Sequence, residues 1–154
     1  MSHARQIIRE AVATILATSP VAWGSVTESR IASTLQIWPY LMVFSESEQS
    51  DPSVVNNPCI YDRRMTLTVA GMLRLPGSGD TYTIEDEMDA VALEIETKLT
   101  QTALRATVPQ IHSMFLKNTS MDVVIEESSI DHAEIIMSYE INYATLEGSP
   151  GTLI

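Results

Sequence analysis

The chain has 154 residues, 45% of them hydrophobic and 19% charged, which fits one folded domain rather than a disordered chain. Its formal net charge of −11 repels phosphate backbones and argues against a protein that grips nucleic acid. Cys59 is the single cysteine, so one chain forms neither an internal disulfide nor a thiolate metal cluster. Because no apolar run is long enough to span a membrane and no secretory signal opens the sequence, we expect a soluble protein made inside the cell, with no membrane partner.

A first amphipathic helix is predicted from Ala4 to Leu16, where apolar residues recur at steps of three and four before Pro20 blocks continuation. A weak strand candidate follows at 25–30. The next strand, "WPYLMVF", is apolar on both faces: Leu41 and Val43 point one way, and Tyr40, Met42 and Phe44 point the other. A half-exposed strand would alternate with polar residues, so a helix, another strand or another subunit should cover its second face.

Residues 45–59, "SESEQSDPSVVNNPC", carry two prolines and no periodicity, and we interpret them as a long acidic loop. Both a functional loop and a solvated hairpin tip are compatible with this pattern. The following "RRMTLTVAGML" alternates cleanly, which predicts a half-buried strand with Met65, Leu67 and Val69 inside. A turn is predicted at 75–80, without the lysine that a phosphate-binding loop needs.

A second long helix is predicted over 84–99, with acidic residues in its first turn and one apolar stripe. Residues 103–116 are predicted to be irregular. The last two strands are predicted to form an antiparallel hairpin with its link at 128–131. Residues 147–154 are predicted to form a flexible C-terminal tail. The economical architecture is a single α+β domain over 1–154: a mixed, mainly antiparallel sheet with two long helices packed on one face.

The last strand begins with three residues that are metal ligands or acid–base groups in many enzymes, Asp131, His132 and Glu134. Alternation puts His132 and Glu134 on the polar face and Asp131 on the opposite side or in the turn. A metal site needs several converging ligands, and the other two histidines lie far away in the sequence. With no catalytic motif along the chain either, we expect no metal, no cofactor and no enzymatic activity.

Some apolar residues of two strands do not belong to the predicted core faces. Ile136 interrupts the polar face of the last strand, and Tyr40, Met42 and Phe44 form the spare face of the earlier strand. Together these residues indicate a partner surface. The alternative is that both groups pack under a loop of the same chain.

The order of features resembles the tail terminator proteins of long-tailed bacteriophages, the family of the lambda minor tail protein U. The resemblance runs from "HARQIIREAVATIL" through "WPYLMVF", the acidic loop and "RRMTLTVAGML" to "EDEMDAVALEIETKL" and "SMDVVIEESSIDHAEIIMSYEINY". It covers nearly the whole chain. The better markers are the strand entry at Pro39, the Glu-x-x-x-Ala-x-x-Leu-Glu helix and the closing Tyr-Glu-x-x-Tyr.

The resemblance implies a non-enzymatic virion protein, made in the host cytoplasm, that forms a homo-hexameric ring at the head-proximal end of the tail. Such a ring caps the tail tube, stops its polymerisation and joins a head–tail connector protein, while DNA passes through the lumen without specific binding. A heterologous ring needs two different patches on each subunit. The candidate residues for subunit or tail-tube contacts are Tyr40, Met42, Phe44, Glu46, Glu48, Glu134 and Ile136.

Two other classes stay open. A related head–tail connector or tail-tube protein would share the logic of ring formation. A small enzyme or ligand-binding module could use the same layout of helices and sheet, because a fold does not fix a function.

Overall fold

The computed structural model of the chain describes residues 2–18, 24–30, 37–55, 57–75, 84–125 and 131–154. In chain order the elements are α1 (Ala4–Ala17), β1 (Ser25–Thr27), β2 (Tyr40–Val54), β3 (Ile60–Arg74), α2 (Ile84–Lys98), α3 (Gln101–Thr107), β4 (Ser113–Val124), β5 (His132–Leu146) and β6 (Ser149–Leu153). Strands account for 51% of the described structure and helices for 28%.

The predicted α+β class, with two long helices packed on a sheet, is therefore wrong. The chain is mainly β, with one curled six-stranded sheet and three short helices. The physical reason lies in the strands, because β2, β3 and β5 each run for 15 residues. None of the helices in the described ranges is long and apolar enough to cross a membrane.

The strands lie in the order β1-β2-β3-β5-β4, and β6 pairs with the end of β5. Among the strands in the described ranges, only β1 runs parallel to its neighbour, and the other pairs are antiparallel. Three bulges interrupt the pairing of β2 with β3 and of β4 with β5, where one strand has an extra residue: Glu46 and Ser53 in β2 and Lys117 in β4. A bulge shifts which face the following side chains occupy relative to the preceding ones.

One face of the sheet carries the main core. Alternate residues of β3 and β5 are buried there, among them Leu67, Val69 and Ile141, as the alternation in the sequence predicted for β3. The apolar stripes of α1 and α2 pack on this face, which confirms the predicted stripes of both helices. Gly71 permits the close approach of α2, because a Cβ atom there would lie 3.3 Å from Val91 Cγ1.

Three segments predicted without regular structure are ordered differently. The acidic 45–59 segment is mostly strand, since β2 continues to Val54 and pairs with β3. Residues 103–116 contain most of α3 and the start of β4, and the predicted flexible tail contains β6. The backbone hydrogen bonds of these strands do not require apolar side chains, so their sequences lack the alternation of a half-buried strand. Residues 76–80 and 128–130, from the predicted turn and link, lie outside the described residues.

Candidate assembly surfaces

The predicted partner residues of β2 and β5 meet on the face of the sheet opposite α1 and α2. Tyr40 and Met42 contact Ala70 and Met72 of β3 in a small cluster, to which Trp38, Phe44 and Ile136 add partly buried side chains. Tyr40 and Met42 are only 7% and 9% exposed. A partner could therefore contact this outer cluster mainly at its border, which the partly buried side chains of Trp38, Phe44 and Ile136 form.

Polar groups of β5 border the outer cluster. His132 Nε2 lies 2.9 Å from Glu134 Oε1, so the two residues share a face as alternation predicted. The Trp38 ring stacks edge-on against Tyr40, with centroids 4.9 Å apart, and lies 5.8 Å from the His132 ring. Burial, and secondarily the charge of Glu134, raises the pKa of Tyr40. The structure thus brings Tyr40 and Glu134 together at one border.

The two glutamates predicted for the same surface face different ways because of the bulge at Glu46 in β2. Glu46 is exposed, and its carbonyl oxygen accepts a hydrogen bond from Arg30 at 3.3 Å. Glu48 points toward the helix-covered face, where its side chain is only 8% exposed. Glu48 is therefore occupied within its own chain.

A polar network surrounds the Glu48 carboxylate. It accepts hydrogen bonds from the Arg63 guanidinium and from the Tyr143 hydroxyl, and Arg5 lies 3.6 Å away. Arg63 also donates to Thr145 Oγ1 at 2.6 Å. Burial first, and then the hydrogen bond to Glu48, raises the pKa of Tyr143. This network joins β2, β3, β5 and α1.

Sequence reasoning missed this network. Its members lie 15 and 95 residues apart from Glu48 in the chain. The members that lie in strands occupy ordinary alternating positions, so the local sequence pattern does not indicate that their side chains form hydrogen bonds with one another. The only hint is that Arg63 and Glu48 are opposite charges in neighbouring strands, which becomes informative once the pairing of β2 with β3 is known.

A second apolar surface, also missed, lies along β4. This strand is the last in the sheet order, so its outer edge has no partner strand among the described residues. The large apolar residues exposed along it and just after it are Phe115, Leu116, Met121, Val123 and Ile125. The sequence signal was present in "MDVVIEES", but the strand begins at Ser113, within the segment predicted to be irregular, and its exposure depends on topology.

The distal half of β2 forms the other open edge. β1 pairs only with Tyr40–Met42, so the strand beyond Met42 has no neighbour on that side in the described structure. Residues 49–54 are exposed on both faces. The sheet thus has two different unpaired edges at opposite sides.

Two further observations concern chemistry. Among the described residues, no group of three or more His, Cys, Asp or Glu side chains is arranged to hold a metal ion. A cavity of about 510 Å³ is lined by Trp38, Pro39, Leu73, Arg74, Glu87, Ala90 and Val91. A ligand-binding module, the alternative left open by the sequence, would use this cavity, since its size is in the range of small-molecule sites.

Comparison with models of known protein families gives no match, and no curated protein matches the chain. The fold and its surfaces are therefore the basis on which a function is proposed.

Proposed function

We propose that this chain is a structural virion protein, a tail terminator that assembles into a ring on the end of a phage tail tube. The resemblance in the order and spacing of sequence features supports the identity of the family. The observation that carries assembly is the pair of open edges, distal β2 and β4, on opposite sides of one sheet. Long unpaired edges are templates for pairing with another chain.

Two different edges on one subunit favour head-to-tail association. A contact between unlike patches repeats around an axis and closes into a ring when the rotation allows it. The hexameric number comes from the family resemblance alone. The outer cluster, with Phe44, Ile136 and Glu134, is a further candidate surface for the tail tube or the connector protein.

The charge of the chain is compatible with this role. Six copies would carry a formal charge of −66 (6 × −11). An acidic lumen would let DNA pass without binding, because no counterions are released onto cationic side chains. The same charge opposes ring closure at low salt, where self-repulsion is least screened.

Light scattering coupled to size exclusion, over a salt series up to about 0.5 M, where the Debye length is roughly 4 Å, tests the proposal. We expect more ring as salt rises, and binding of the ring to the ends of purified tail tubes. A protein that stays monomeric at every salt and concentration and leaves tube ends uncapped would defeat the assignment. Rings that dissociate as salt rises would leave the assignment standing and reject the electrostatic explanation, since specific ion pairs would then dominate.

A further inference from the structure

We propose that the subunit contact of this ring is made by β4 of one copy and the distal edge of β2 of a second copy, so that the sheet continues from subunit to subunit. This inference rests on the proposed function and specifies the partner of each open edge. The occupant of the β4 edge is thus a second copy of this chain.

The β4 side has the properties of a receiving surface. Residues 115–123 are exposed on both faces of the sheet. On the helix-covered face, Leu116, Met121 and Val123 lie opposite Tyr139, Ile135 and Ala133 of β5, yet they are about 40% exposed. The helices cover the neighbouring strands and leave this part of the face open.

One flank of α2 forms the wall of the open surface. Leu93, Glu96 and Thr100 follow each other at helical spacing and therefore lie on one side of the helix and its extension. Glu96 and Thr100 line a cavity of about 190 Å³ together with Leu116. Leu93, in the same row, is 69% exposed. The result is a groove with an apolar floor on β4 and a mixed wall on α2.

A buried hydroxyl group lies beside this groove. Tyr139 is 2% exposed and lines the same cavity, but its hydroxyl has no hydrogen-bond partner within the described structure. A buried hydroxyl without a partner is destabilising. A strand added to β4 would lie two strand spacings from β5, so a side chain of that strand, rather than its backbone, would have to supply the partner of this hydroxyl.

The distal edge of β2 is long enough to pair with part of β4. β2 has 15 residues, of which three pair with β1, and β4 has 12. Arg30 donates to the carbonyl oxygens of Ser45 and Glu46 at one end of the free edge, and Pro52 interrupts the other end. These features restrict strand addition to Ser47–Asp51.

Charge complementarity favours the pairing of unlike edges. The exposed charges on the distal β2 edge, Glu46 and Asp51, are both acidic, so two copies of this edge would repel. The two charged residues of β4, Lys117 and Asp122, are both exposed and of opposite sign, so this edge carries no net charge of its own. An acidic β2 edge is therefore better accommodated beside β4 than beside another β2.

The helices above the two edges carry opposite charges as well. Arg5 and Arg9 lie on the flank of α1 toward β1 and β2, since they approach Glu48 at 3.6 Å and Glu28 at 3.8 Å. On the other side of the subunit, Glu96 borders the β4 groove. A continuous sheet would set α1 of one copy beside α2 of the next, with the basic flank facing the acidic one.

Cross-linking between two singly labelled copies tests the inference. In a Cys59→Ser background, Ser50→Cys and Met121→Cys, which lie on the same face of the sheet, are prepared separately, mixed with a short bismaleimide and examined with and without tail tubes. We expect dimers only in the mixture and a ladder up to closed rings for the double variant. Thr107→Cys, at the exposed last residue of α3, replaces Met121→Cys as the matched control and should give no product.

Each alternative result has a distinct meaning. Products from Met121→Cys alone would mean that β4 pairs with β4, and would overturn the inference. Rings by light scattering without products in the mixture would also overturn it, while leaving the proposed function intact. Absence of both rings and tube binding would defeat the proposed function, and the inference with it.

A charge exchange gives an independent readout. Arg9→Glu should weaken association by about tenfold or more, because it sets like charges beside Glu96 of the next copy. Adding Glu96→Arg should restore association if the two residues meet across the contact. Failure of the second change to restore association, in variants that remain folded by circular dichroism, would contradict the arrangement of the helices.

Discussion

Two tyrosines in β5 allow a sharp test of the network around Glu48. Tyr139 and Tyr143 lie on the same face of the same strand and are 2% and 0% exposed. The Tyr143 hydroxyl donates to the Glu48 carboxylate, whereas the Tyr139 hydroxyl has no partner among the described residues. Changing either residue to Phe removes one oxygen atom from a buried site and alters little else.

The two variants should therefore differ in stability. Tyr143→Phe removes a hydrogen bond to a charged group and leaves the shielded Glu48 carboxylate with one donor fewer, so we expect a loss of about 1.5–3 kcal/mol. Tyr139→Phe removes a hydroxyl that gains nothing in the folded chain. Its expected effect lies between no change and a stabilisation of about 1 kcal/mol.

Urea titration of both variants at pH 7, followed by circular dichroism at a protein concentration below that of assembly, measures the difference. The slope of the free energy against urea should stay constant, so that the midpoints can be compared directly. Equal losses in the two variants, or a larger loss in Tyr139→Phe, would refute the assignment of the hydrogen bond. Glu48→Gln provides a further control, since it keeps an acceptor but removes the charge.

Three other predictions concern pH and packing. Burial raises the pKa of both Tyr139 and Tyr143, so above pH 10 the unfolded chain releases protons that the folded chain keeps. The free energy of unfolding should therefore fall as the pH rises. In urea titrations, each Phe variant should reduce this fall by about 1.4 kcal/mol per pH unit. His3 Nδ1 accepts a hydrogen bond from the Arg5 N–H as the cap of α1, and burial, then the charge of Arg5, lowers the His3 pKa. His3→Ala should cost about 0.5–2 kcal/mol at pH 8, and this cost should shrink as the pH falls through the lowered pKa, because protonation removes the acceptor. Gly71→Ala would bring a Cβ atom to 2.8 Å from Ile135 Cγ2, and thermal unfolding should reveal a loss of about 1–3 kcal/mol. Full stability would mean that the Ile135 side chain turns away to make room for the added methyl group.

The parts of the fold that the sequence predicted well are those where one face is buried and the other is polar. The stripe of α1 and the alternation around Leu67 belong to this kind, because burial on one side imposes a period on the sequence. The same alternation correctly put His132 and Glu134 on one face.

The parts that the sequence missed are strands exposed on both sides. Distal β2 and most of β4 have solvent on each face, so no period distinguishes them from a loop. Their strand character comes from backbone pairing with β3 and β5, which the local sequence does not encode. The predicted α+β class failed for this reason, since the distal part of β2, the start of β4 and all of β6 were interpreted as irregular. The apolar floor along β4 was missed with the strand that carries it.

The bulge at Glu46 also determines where β2 can change in length. Ser45 pairs with Leu67 and Ser47 with Thr66, so Glu46 has no position of its own in the ladder. Deleting Glu46 would leave every later residue of β2 opposite its present partner and on its present face. A deletion elsewhere in the strand, for instance at Val43, would turn the side chains on one side of it to the opposite face. A scan of single-residue deletions along β2 should therefore find that loss of Glu46 is tolerated, whereas deletions in the buried stretch Leu41–Val43 prevent folding.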